Sequence, residues 1–192
     1  MKFTNYLLTS LCFILTAACS QNNVISLFSG HDLNDWDIVG DANWRFENDE
    51  LISDSGGLGY VVTQKNYRNF KLSLEFFPVA EVNSGIFIRI ADRNNISATS
   101  AYEMNIWDEH PNQAFRTGVI VTRVAPPLAH VETLDQWNTY EIIINNDHMT
   151  AKVNDILTAE LTDNSLPEGP IALQRGDTGT IRFRHIKLTP LP

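Results

Sequence analysis

The sequence predicts an all-β fold, an antiparallel sandwich or barrel, and three observations carry that prediction. From Val24 onward, short apolar runs are separated by turn residues about every 8–12 positions. Residues 70–76 and 83–90 alternate between apolar and polar side chains, the period of a strand with one face buried. Beyond the N-terminal segment, no stretch keeps helical periodicity for more than about two turns.

The elements follow in chain order. Lys2 is the only charge before Asn22, residues 6–15 are largely apolar, and the run ends in Leu15-Thr16-Ala17-Ala18-Cys19. A basic start, a short apolar core and small residues before a cleavage point are the grammar of a secretory signal. The run is too short to span a bilayer. With its cysteine directly after the small residues, the segment resembles a bacterial lipoprotein signal. That resemblance implies a signal peptide over residues 1–18 and a diacylglycerol on the Cys19 thiol. After Cys19, the polar residues 20–23 read as a short tether, and residues 24–192 as a single β-sandwich domain. The membrane is then a partner through the lipid anchor alone. An ordinary signal peptide that contains a cysteine is the alternative. Ser20 accords with outer-membrane sorting, so the expected location is the cell envelope, facing the periplasm or the surface.

The formal charge is −9, and cleavage before Cys19 would remove Lys2 and no acid, leaving the mature chain one unit more negative. Nucleic acid and anionic membrane surfaces are therefore excluded as ligands. Cys12 and Cys19 are the 2 cysteines. The mature domain thus has none for a disulfide, and roughly 170 residues must hold together by their own core.

Asn48-Asp49, Asn146-Asp147 and Asn154-Asp155 sit between strand-like runs, where hairpin turns favour Asn or Asp in left-handed geometry. Residues 137–144 are rich in β-branched and aromatic side chains, as in a well-covered strand. The long irregular pieces are residues 92–101, 109–116 and 123–136, the last interrupted by Pro126-Pro127. Loops of this size on a sandwich commonly form the rim of a binding site.

Strand parity then sorts the polar side chains. Phe70, Leu72, Leu74 and Phe76 point to the core and leave Lys71, Ser73 and Glu75 outside. Ser84, Ile86, Ile88 and Ile90 leave Asn83, Gly85, Phe87 and Arg89 opposite. Tyr102, Met104 and Ile106 leave Glu103, Asn105 and Trp107, while Ile171 and Leu173 leave Ala172 and Gln174. If these strands adjoin in one sheet, the outer face carries two carboxylates around an arginine, two amides and two aromatic rings. Such a face suits a sugar, since carboxylates and amides bind hydroxyls and a ring covers the apolar side of a pyranose. A solvated face with cross-strand ion pairs gives the same pattern. Asp108-Glu109-His110 could supply ligands to a divalent metal, and a loop cluster that is merely solvated reads the same way. No other cofactor is predicted: the chain has no Gly-rich phosphate loop, no Ser-centred nucleophile elbow and no Cys-based motif.

These residues also carry a family resemblance. The run Ser26-Leu27-Phe28-Ser29-Gly30-His31-Asp32-Leu33-Asn34-Asp35-Trp36 is similar to the opening of the 3-keto-disaccharide hydrolase family. Residues 70–76, Asn83-Ser84-Gly85 through Arg89, and Tyr102-Glu103-Met104-Asn105-Ile106-Trp107-Asp108 resemble its later motifs. Trp137-Asn138-Thr139-Tyr140-Glu141, residues 169–174 and Phe183-Arg184-His185-Ile186 follow in the expected order. Asn105 stands where the family usually has Gln, Asn154-Asp155 where it has Asn-Gly, and His185 where it has Asn. The resemblance implies a concanavalin A-like antiparallel jelly roll and glycosides oxidised to a ketone at C3. Cleavage would follow C2 proton abstraction, elimination and hydration. Glu103 or Glu75 would be the base, Arg89 the enolate stabiliser, and Asp108 or His110 the acid. Phe87, Asn105, Trp107, His110 and Gln174 would hold an oligosaccharide or glycoside substrate. A non-catalytic, lipid-anchored glycan-binding module is the alternative, and would depend most on Trp107 and Phe87.

Overall fold

In a computed structural model, residues 24–28, 32–79 and 82–192 are described. The signal peptide, Cys19, the tether, and Ser29, Gly30 and His31 of the opening motif lie outside the described residues. The strands are β1 (Ile25–Ser26), β2 (Trp36–Glu47), β3 (Glu50–Thr63), β4 (Phe70–Pro78), β5 (Ser84–Ile88) and β6 (Tyr102–Ile106). After a 3-10 turn at Gln113–Phe115 come β7 (Asn138–Asn145), β8 (His148–Val153), β9 (Ile156–Thr162), β10 (Ala172–Arg175) and β11 (Ile181–Pro190). Among the described residues every strand pair is antiparallel, and the main path runs β6-β5-β10-β3-β11-β4-β7-β8-β9.

The long strand β3 makes this path a sandwich. Its first residues, Leu51 to Ser53, pair with β11, and its last, Gly59 to Val62, pair with β10. Between them β2 and β3 slip register at Gly40, Ala42 and Trp44, so the hairpin bends from one layer into the other. Gly56 permits the bend. Its φ is +87°, and a Cβ there would lie 2.1 Å from the carbonyl oxygen of Asp41. One layer is therefore β6, β5, β10 and the end of β3, with the start of β2 on its edge. The other is the start of β3, then β11, β4, β7, β8 and β9. Ile86, Ile88, Met104 and Leu173 of the first layer pack on Leu72, Phe76, Ile142 and Phe183 of the second, all of them buried. The inward parity of β4, β5, β6 and β10 is as expected from the sequence, except that Ile90, beyond the end of β5, turns to the outer face with Phe87 and Ala172 because Arg89 before it has φ +52°.

The Asn-rich turns take the left-handed geometry their residues favour, with Asn48, Asp49, Asn146, Asn154 and Asp155 all at positive φ. His185 also has positive φ (52°), at the register shift of β11 against β4. The family's usual Asn suits that bulge for the same reason. The architecture is the concanavalin A-like antiparallel jelly roll that the sequence predicts.

Candidate functional site

The outer face of the first layer holds the candidate site, and its residues form a lattice. Asn105 on β6 lies opposite Gly85 on β5, Gly85 opposite Gln174 on β10, and Gln174 opposite Tyr60 on β3. In the adjacent row Glu103 lies opposite Phe87, Phe87 opposite Ala172, and Ala172 opposite Val62. With strands about 4.8 Å apart, each four-strand row spans about 14 Å, wide enough for a sugar ring.

Gly85 leaves a dip in this floor, and the Glu103 side chain folds over it. A Cβ at Gly85 would lie 3.4 Å from both Cγ and Oε1 of Glu103. Among the described residues the Glu103 carboxylate has no hydrogen bond or ion pair, and burial alone raises its pKa to about 7. A carboxyl without a counter-charge and half-protonated near neutrality is suited to proton transfer. Gln174 is 6% exposed, its amide N–H donates to the Tyr60 hydroxyl (3.3 Å), and its Oε1 has no partner among the described residues. An orphaned buried acceptor is costly, so a ligand that brings a donor is favoured there. Burial first, and Glu103 nearby, raise the Tyr60 pKa against the lowering effect of the Gln174 bond, so the phenol stays protonated at neutral pH.

Residues 92–101 close one end of the face. Ile96 packs on the buried set Tyr60, Val62, Phe87, Ile90, Ala101 and Ala172. The Tyr60 hydroxyl also donates to the Ile96 carbonyl (3.3 Å). On the outer edge of β6 the segment 118–121 pairs with the strand, with Val121 N–H donating to Glu103 O and Asn105 N–H to Val119 O. At the far end Trp107 is half-buried. Its backbone N–H donates to Thr117 Oγ1 (2.9 Å), and its ring meets the His110 ring edge-on at 4.4 Å. His110 packs in turn on Phe115 (5.7 Å). The Asn112 N–H donates to His110 Nδ1 (3.0 Å), which puts the proton of the neutral ring on Nε2. Asn105 gives its amide N–H to the Phe115 carbonyl and so ties this shelf to β6.

The structure thus brings together Glu103, Asn105 and Gln174, with Trp107 and His110 at one end. Phe87 shares the face but is 1% exposed and packs edge-on against Tyr60 (5.4 Å), so its ring is floor and presents no surface for stacking.

Three expected partners lie elsewhere. Glu75 points outward, but from β4, which belongs to the second layer. Parity separates inside from outside and does not say which of two sheets a strand joins. Glu75 accepts from Arg184 (2.6 Å) and bonds His185 (2.8 Å). Partial burial pushes its pKa up, and these two neighbours outweigh it and hold the carboxyl below its ordinary value.

Arg89 leaves the strand alternation because its φ is +52°, just past the end of β5. Its buried guanidinium donates to the carbonyls of Arg68, Asn146 and Leu166, which binds it to the end of the sandwich and takes it out of the site. Asp108 is also buried, and both its oxygens are held by Thr133: Oδ2 by the backbone N–H (2.6 Å), Oδ1 by the hydroxyl (2.9 Å). It clasps the loop before β7 to the end of β6 and is not free to serve as an acid. The metal suggested by Asp108 and His110 finds no support in geometry either. Among the described residues no three of His, Cys, Asp and Glu converge.

Tyr60 is the residue that sequence reasoning missed. Both faces of β3 are buried here, so Tyr60-Val61-Val62 reads as continuous apolar sequence and parity gives no outward side.

Residues 23–189 match the family described as 3-keto-alpha-glucoside-1,2-lyase-like domain. The chain belongs to that family. Among solved structures, a candidate glycosyl hydrolase from Parabacteroides distasonis aligns with TM-score 0.72 at 22% identity, over 88% of this chain and 100% of that one. A second candidate glycosyl hydrolase from the same organism aligns with TM-score 0.78 at 17% identity, over 93% and 99% of the two chains. The carbohydrate-binding module CBM66 of Bacillus subtilis aligns with TM-score 0.64 at 15% identity, over 81% and 95%. At these identities the likeness is one of fold. No curated protein matches the sequence.

Proposed function

We propose that the protein is a lyase on 3-keto-glycosides, cleaving the C1–O bond by elimination, with Glu103 as the base. The observation that carries this reading is the unpaired Glu103 carboxylate, raised to about 7 by burial on a face otherwise built to meet hydroxyls. Membership of a family described as 3-keto-alpha-glucoside-1,2-lyase-like favours this substrate class.

A ketone at C3 acidifies the hydrogen on C2. Glu103 takes that proton, and the C–H electron pair becomes the C2–C3 double bond of an enolate. The Tyr60 hydroxyl, kept protonated by burial, donates to the enolate oxygen once it releases the Ile96 carbonyl that holds its one proton at rest. The enolate then collapses: the ketone re-forms, a C1–C2 double bond forms, and the C1–O bond breaks. The leaving oxygen takes the bonding pair and the proton that Glu103 has just received, passed directly or through a water, which forms the alcohol and restores the base. The products are an unsaturated keto sugar and an alcohol. Addition of water across the double bond would complete net hydrolysis.

In this reading Glu103 and the unpartnered Gln174 Oε1 are acceptors that the hydroxyls of a neutral sugar satisfy. Secretion and a lipid anchor at Cys19 would set the reaction at the cell envelope.

Product analysis tests the proposal. The purified protein is incubated with a 3-keto-glucoside and with its unoxidised parent, beside a Glu103→Gln variant. Cleavage of the keto substrate alone, lost in the variant, is expected. Binding of both sugars with cleavage of neither would make the protein a glycan-binding module.

A further inference from the structure

Residues 92–101 form a loop closed on itself. The Ala91 N–H donates to the Ser100 carbonyl (2.8 Å), which brings the two ends of the loop side by side. Within it, the Asn94 N–H donates to Asp92 Oδ1 (2.9 Å) and the Ser97 N–H to Ser100 Oγ (3.0 Å). That hydroxyl donates in turn to the Asn95 carbonyl (2.5 Å). Such a loop keeps its own shape and can swing as one piece about its stem. Arg93 anchors the stem, donating to the Thr63 and Gln64 carbonyls (both 2.9 Å) and pairing with Asp37.

The far part of the loop lies over the candidate site. Ile96 packs on the cluster that includes Tyr60, Val62, Phe87 and Ala172, and Glu103 stands in the same row, opposite Phe87. Two hydrogen bonds fasten this part: Tyr60 Oη to the Ile96 carbonyl (3.3 Å), and Thr122 Oγ1 to the Ala98 carbonyl (3.2 Å). Ile96 itself is only half-buried, so the cover is held far more weakly than the sheet beneath it. The outer fastening is also strained. Thr122 is β-branched and has φ +65°, in the left-handed region that such residues avoid.

The inner fastening uses the proton that the chemistry needs. The Tyr60 oxygen accepts from the Gln174 amide, and its one proton goes to the Ile96 carbonyl. Resting on the lyase reading, we infer that residues 92–101 are a self-inhibiting gate, in which the Ile96 carbonyl takes the place of the substrate ketone oxygen on Tyr60. Swinging the loop away uncovers the Glu103 row and frees the phenol in one movement. Substrate enters only the open state, so its apparent affinity is reduced by the fraction of molecules that are open. A contact that holds the gate shut therefore opposes binding, even where it lies outside the site, as the exposed Thr122 does.

Thr122→Ala compared with Thr122→Ser tests this. Both variants remove the β-branch and its strain, and only Ser keeps the hydroxyl. One net hydrogen bond corresponds to roughly fivefold in an equilibrium. The probe is methyl 3-keto-glucoside, bound calorimetrically in a Glu103→Gln background where it is not consumed. Thr122→Ala is expected to bind it about fivefold more tightly than Thr122→Ser. A readout without ligand accompanies this: relaxation dispersion at the labelled Ile96 methyl, which leaves the Tyr60 and Phe87 rings when the gate opens. The open population should rise by the same factor in Thr122→Ala. Equal binding by the two variants, weaker binding by Thr122→Ala, or an Ile96 methyl without exchange in both would overturn the gate. Exchange and tightened binding as expected, with no cleavage of the probe when Glu103 is intact, would overturn the lyase reading and leave the gate. Exchange at Ile96 with no binding of the probe by any variant would overturn the lyase reading and the ketone-mimicking role of the Ile96 carbonyl together.

Discussion

Replacing Glu103 by Gln is expected to stabilise the fold, and only away from acid. Burial raises the Glu103 carboxyl from its ordinary 4.5 to about 7, with no partner to offset it. The folded protein therefore holds this proton more tightly than the unfolded chain does. Below the unfolded value both states are protonated and the site costs nothing. The penalty grows as pH climbs from about 4.5 to about 7 and is complete above that. Its full size is at most about 3.4 kcal/mol, the free energy of moving a carboxyl pKa that far. For a chain of this length that corresponds to roughly 7–14 °C in melting temperature. Gln has nearly the same shape and no charge, so the variant escapes the penalty. Thermal unfolding of both proteins between about pH 4 and about pH 8 reads it directly. The expected result is coincident melting in acid and a growing advantage for the variant toward pH 8. A variant less stable than the parent at pH 8 would mean that the carboxylate is held by a partner. A held carboxylate is not a poised base, and the reasoning would be refuted.

Asp108→Ala should act through the fold instead, since it strips two hydrogen bonds from buried Thr133 and leaves the buried Arg116 guanidinium, 3.7 Å away, without this counter-charge. A loss of about 2–4 kcal/mol in urea unfolding is expected, with turnover of the folded protein nearly unchanged; a specific loss of turnover would restore Asp108 to the chemistry. Tyr140→Phe removes a fully buried hydroxyl that has no hydrogen-bond partner among the described residues, so it should be neutral or stabilising by up to about 1 kcal/mol, and clear destabilisation would reveal a hidden partner. Glu75→Gln should leave cleavage intact and cost roughly 0.5–1 kcal/mol, because the Arg184 and His185 pair is half-exposed. The Glu75 carboxyl is lowered in the fold, so its contribution is present above the ordinary 4.5 and vanishes as pH falls through the folded value. A difference that persists in strong acid would contradict that assignment.

The layers of this fold were legible because the alternating strands write their periodicity openly. In residues 70–76 and 102–106 every second side chain is apolar, and each faces the core. The composition of the site was only partly legible. Glu103, Asn105 and Gln174 were brought together by parity because β5, β6 and β10 do adjoin. Glu75 obeys the same rule from a strand in the other layer, and the pairing of β4 with β7 and β11 is a long-range fact that no local pattern encodes. Arg89 was misplaced by a single backbone angle, since a residue at φ +52° no longer follows the strand's alternation. Asp108 shows a third limit. Its sequence neighbourhood suggested a loop carboxylate, while its partner, Thr133, lies 25 positions away.

These displacements reduce the two-carboxylate, arginine-centred site suggested by the sequence to one unpaired carboxylate, a phenol and an amide. Such a set suits removal of a proton made acidic by the substrate's own ketone, where no strong cation is needed to form the enolate. It is less suited to two-carboxylate hydrolysis, which requires a second acid across the bond.

The measurement closest to the central claim is cleavage of a 3-keto-glucoside carrying deuterium at C2. If Glu103 removes that hydrogen, the label is lost from the sugar, the labelled substrate reacts more slowly than the unlabelled one, and Glu103→Gln abolishes both loss and cleavage. Cleavage at an undiminished rate with deuterium still at C2 of the product would contradict the account.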